Sequence, residues 1–110
     1  MNYQHKDLSE GRWAIMPFLN QMANIGSEVE RALSWKKKNN APYCQQAFER
    51  ALELVDLTIE STSKPSYFRE LLRMREAMAD YFQGQNQFRS SDKEWREYFL
   101  HFSCAARKNH

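Results

Sequence analysis

The chain has 110 residues, room for one domain. Its 42% hydrophobic and 14% aromatic content suffices for a core, and three glycines and three prolines are too few for a loop-rich or all-β chain. Net charge is +2, from 16 basic and 14 acidic residues, so no strong global field draws the chain to nucleic acid.

Cys44 and Cys104 are isolated and lack metal-ligand spacing. The first stretch, MNYQHKDLSEGRW, is polar and has no apolar core of a secretory signal. No apolar run approaches the ~18 residues of a membrane span. These features predict a soluble, cytoplasmic protein with reduced thiols and no cofactor.

Residues 1–16 read as an irregular lead-in anchored by Trp13 and Ile15, and 17–110 as a single domain. Pro17 suits the first turn of a helix, where its missing N–H is not needed. Phe18, Met22, Ile25, Val29 and Ala32/Leu33 then form one apolar stripe. This helix should close at KKKNN. Pro42 opens a second helix, whose stripe is Cys44, Phe48, Ala51, Leu52, Val55 and Ile59, ended by STSKPS. A third carries Phe68, Leu71, Leu72, Met78, Ala79 and Phe82 and stops before Gly84. After the loop QGQNQFRSS, Ser91 and Glu94 form a capping box for a fourth helix presenting Trp95, Tyr98, Phe99, Phe102, Ala105 and Ala106. Four amphipathic segments joined by short loops predict an all-α, antiparallel four-helix bundle.

Taken together, NIGSEVERAL, ERALELVDLTI, LLRMREAMADYF and EYFLHFSCAAR resemble a small helical-bundle family of microbial proteins with no assigned function. The resemblance runs from Trp13 onward. It implies the bundle fold and supplies no activity.

Arg75 breaks the pattern. At about 100° per residue it falls inside the third helix's stripe, and a charge facing a core must be paired or reach water. Glu28, Asp56 and Asp92 are its candidate partners, in a buried ion pair that fixes helix register, or else Arg75 snorkels out of the bundle end; the alternative is an anion site lined by Arg75. Glu49, Glu53, Asp56 and Glu60 line one flank of the second helix, opposite Arg69 and Arg73 of the third. Interhelical ion pairs explain that arrangement. The Glu-x-x-His motif of di-iron bundles is missing, and no metal is expected.

Gly26, beside Ala23 and Ser27, predicts a close helix approach. Leu54 and Leu57 project away from the second helix's stripe. With Trp35 and Tyr81 they suggest a second apolar surface, and exposed surfaces of that kind mean association. A homo-oligomer is therefore expected.

REYFLH (96–101) places an Arg five residues before a His. That spacing resembles the Arg-to-His signature of HEPN ribonucleases and would make Arg96 and His101 a catalytic pair. Glu97 departs from the family, which carries a small polar residue after its Arg. Five residues on a helix separate two side chains by about 140°, so within one chain the pair flanks the stripe on opposite sides. The favoured reading is a non-enzymatic, self-associating interaction module or a bundle that docks on a protein partner. The alternative is a nucleic-acid-acting bundle, either that ribonuclease or a binding accessory using Lys36, Lys37, Lys38, Arg107 and Lys108.

Overall fold

The computed structural model describes residues 11–108. Within them the chain forms four helices and no strand: α1 (Phe18–Lys37), α2 (Ala41–Ser61), α3 (Pro65–Phe82) and α4 (Asp92–Lys108). Most of the lead-in expected over 1–16 lies outside the described residues. Its last part, 11–16, is a turn closed by Met16 N–H donating to the Trp13 carbonyl at 3.1 Å.

Local chemistry sets the helix ends. The Pro17 carbonyl accepts from Asn20 and Gln21, starting α1 one residue later than a proline inside the first turn would. Asn39 ends that helix in the left-handed region, with φ +59°, a conformation asparagine tolerates better than most residues. Asn40 caps α2, its side-chain oxygen accepting from Tyr43 N–H at 3.1 Å. Pro65 is the first residue of α3. The Asp80 carboxylate folds the following loop back by accepting from the N–H groups of Gln87 (2.7 Å) and Phe88 (3.0 Å). Ser91 Oγ then accepts from Glu94 N–H at 3.1 Å as α4 begins.

Helix α1 packs against α2 and α4, and α2 packs against α3. Side chains join α3 to α4: Tyr98 donates to Glu70 at 2.6 Å, and the rings of Tyr81 and Trp95 lie 6.3 Å apart. Met22, Ile25, Val29 and Leu33 of α1 meet Phe48, Ala51 and Val55 of α2 in a core closed to solvent. Trp13 belongs to that core although it precedes every helix. It is 2% exposed, and its indole N–H donates to Thr58 Oγ1 at 2.8 Å. The same hydroxyl donates to the Leu54 carbonyl at 2.7 Å, so it is satisfied in both directions.

Two apolar faces differ from expectation. On α2, Leu54 and Leu57 do not point outward; they are 3% and 6% exposed. Helix α2 is covered from two sides. Phe48 and Asp56 face α3 (through Phe82 and Arg75), and Arg50 reaches Glu28 of α1. At about 100° per residue, Leu54 and Leu57 fall on the α1 side near Arg50, so the buried arc is about twice as wide as one stripe. On α3 the reverse holds. Leu71, Met74 and Met78 form the buried line, while Phe68 and Leu72 are 43% and 44% exposed.

Candidate functional site

The expected site residues do not gather in one place. Arg75 Nε donates to Asp56 Oδ1 at 2.7 Å and Nη2 to Oδ2 at 3.4 Å, joining α3 to α2. Both side chains are about two-fifths exposed (40% and 39%), so this pair lies at the bundle's edge and not in its core. The hydrogen bond to Asp56 holds the guanidinium above its ordinary pKa, against a smaller opposing effect of burial. Glu28 stands on the other side of α2. There it accepts from Arg50 at 3.1 Å and from Arg31 at 2.8 Å, too far round α2 to be the partner of Arg75.

Asp92, the third candidate, belongs to a polar cluster at the α1–α3–α4 end. Tyr81 OH donates to Asp92 Oδ1, and Lys36 Nζ donates to Tyr81 OH at 2.9 Å and to Asp92 Oδ1 at 3.1 Å. The ammonium also sits over the Tyr81 ring, 4.3 Å from its centre. Burial would push the Asp92 carboxyl up. Hydrogen bonds from Tyr81 and Lys36, helped by the charges of Lys36 and Arg96, outweigh burial and leave it below the usual value. Burial pushes Tyr81 up, and its bond to Asp92 adds to that. Burial works to lower Lys36, but the same hydrogen bonds leave it raised.

Trp35 packs edge-on against Tyr43, and Lys38 lies over its indole at 5.0 Å. It shares no surface with Leu54 and Leu57, which are interior. Arg96 donates to Glu30 Oε2 of α1 at 2.9 Å. His101 is exposed beside the Phe102 ring. The REYFLH pair is therefore divided, with Arg96 committed across the α1–α4 contact and His101 turned to solvent.

That Arg96–Glu30 pair borders a groove of about 840 Å³ between α1 and α4, floored by Val29, Leu33, Trp95 and Phe99. Gly26 lies at its edge, and a Cβ there would come within 2.7 Å of Phe99 Cβ. A smaller hollow of about 260 Å³ between α3 and α4 is bounded by Met74, Trp95, Tyr98 and Arg73. Trp95 borders both, and its buried indole N–H has no hydrogen-bond partner among the described residues. Cys44 lines a third hollow, of about 340 Å³, beside Lys36. Burial raises its thiol pKa, which keeps it protonated and a poor nucleophile.

Among the described residues no group of three or more His, Cys, Asp or Glu side chains is placed to hold a metal ion. No described helix is long and apolar enough to cross a membrane. No protein-family model, curated protein or solved structure matches the chain.

What remains as a candidate site is the outer face of α3. Phe68 and Leu72, one turn apart, stand exposed beside the Arg75–Asp56 pair. Sequence reasoning assigned both to the core stripe. Their distinguishing signal is the line Leu71, Met74 and Met78, which meets the buried-helix periodicity without them.

Proposed function

We propose that the protein is a non-enzymatic interaction module, an antiparallel four-helix bundle that self-associates through the outer face of α3. The observation that carries this reading is the exposed Phe68–Leu72 pair, two large apolar side chains on one helix face. Exposed apolar groups placed together, and not scattered singly, favour association.

The antiparallel order is supported by residue pairings in which one helix descends as its neighbour rises. Trp35 meets Tyr43 and Glu28 meets Arg50 between α1 and α2. Phe48 meets Phe82 and Asp56 meets Arg75 between α2 and α3. Cys44 and Cys104 are free thiols, which suits a reducing, cytoplasmic setting. The ribonuclease alternative is weakened by the commitment of Arg96 to Glu30.

Native mass spectrometry of gently purified protein, with light scattering over a wide concentration range, tests the reading. A discrete homo-oligomer is the expected result. A strict monomer at all concentrations overturns it. Copurifying RNA whose cleavage is lost in His101→Ala would move the assignment to the nucleic-acid class.

A further inference from the structure

We draw no further inference here: the strongest candidate, the hollow of about 260 Å³ between α3 and α4 bordered by Trp95 with its buried, unpartnered indole N–H, is lined by Arg73 and by Glu70 and Glu94 together, and nothing in the structure shows that the N–H points into it or which ligand would fill it.

Discussion

Arg75 and Asp56 meet at 2.7 Å across the outer seam between α3 and α2, each still about 40% exposed. A charge that periodicity places inside an apolar stripe thus reaches water by standing at the rim. Removing either partner exposes no buried charge. Arg75→Ala and Asp56→Ala should each lower stability modestly, with a coupling of about 0.2–1 kcal/mol in a double-mutant cycle. Urea unfolding of the four proteins measures it, and a coupling of several kcal/mol would mean that the pair is buried.

Gly26 should resist the substitution that helix propensity favours. Alanine in a helix interior is worth roughly 1 kcal/mol over glycine. Here its methyl would stand 2.7 Å from Phe99 Cβ and 2.9 Å from Cγ, atoms near the backbone that cannot swing aside. Overpacking of this type costs about 1–3 kcal/mol. Gly26→Ala should lower the thermal midpoint, and a raised midpoint would show that α1 and α4 can separate freely.

The contact between Trp13 and Thr58 should be felt strongly despite lying before the first helix. Thr58→Val keeps the shape but leaves the buried indole N–H unpaired, a loss of about 1–3 kcal/mol. Trp13→Ala should cost about 3–5 kcal/mol. Chemical denaturation distinguishes the two, and near-wild-type stability in Trp13→Ala would remove 11–16 from the folded unit.

The Lys36–Tyr81–Asp92 cluster should narrow the pH range of stability from both sides. The folded Asp92 pKa is lowered, so its contribution is present above the unfolded value and is lost as pH falls through the folded one. Lys36 and Tyr81 are raised, so theirs are present below their unfolded values and are lost as pH rises through the folded ones. Asp92→Asn should flatten the acid limb of a plot of urea midpoint against pH. Because Asp92 and Lys36 are partly exposed, 1 M salt should shrink the difference. An unchanged acid limb in Asp92→Asn would show that other carboxylates govern it.

Helix number, helix type and the Ser91 cap of α4 were legible in the sequence because they depend on neighbours within a turn or two. Ser91 acts within three residues, and the spacing of Met22, Ile25 and Val29 is as local; Asn40 and Pro65 read as ending helices, whereas they begin α2 and α3. What was not legible depends on which neighbour covers which face. Leu54 and Leu57 read as outward because a single stripe assumes one covering helix, whereas α2 is covered on two sides. Phe68 and Leu72 read as core because hydrophobicity alone cannot say which edge of a wide apolar arc stays wet. Lys36, Tyr81 and Asp92 come together from three helices, with 45 positions separating Lys36 from Tyr81 and 56 separating it from Asp92. No local pattern marks such a meeting. Asp56 was named among the partners of Arg75, but that pair's place at the rim needed the helices' relative positions.

The contact between Gly26 and Phe99 ties two sites 73 positions apart into a single steric quantity. An ancestor could not have enlarged the first without trimming the second or prising two helices apart. Chains descended from the same ancestor should therefore vary at these positions in concert, a bulkier residue at one accompanied by a slighter one at the other. Such a correlated record would preserve the α1–α4 spacing even where the surrounding surface has diverged.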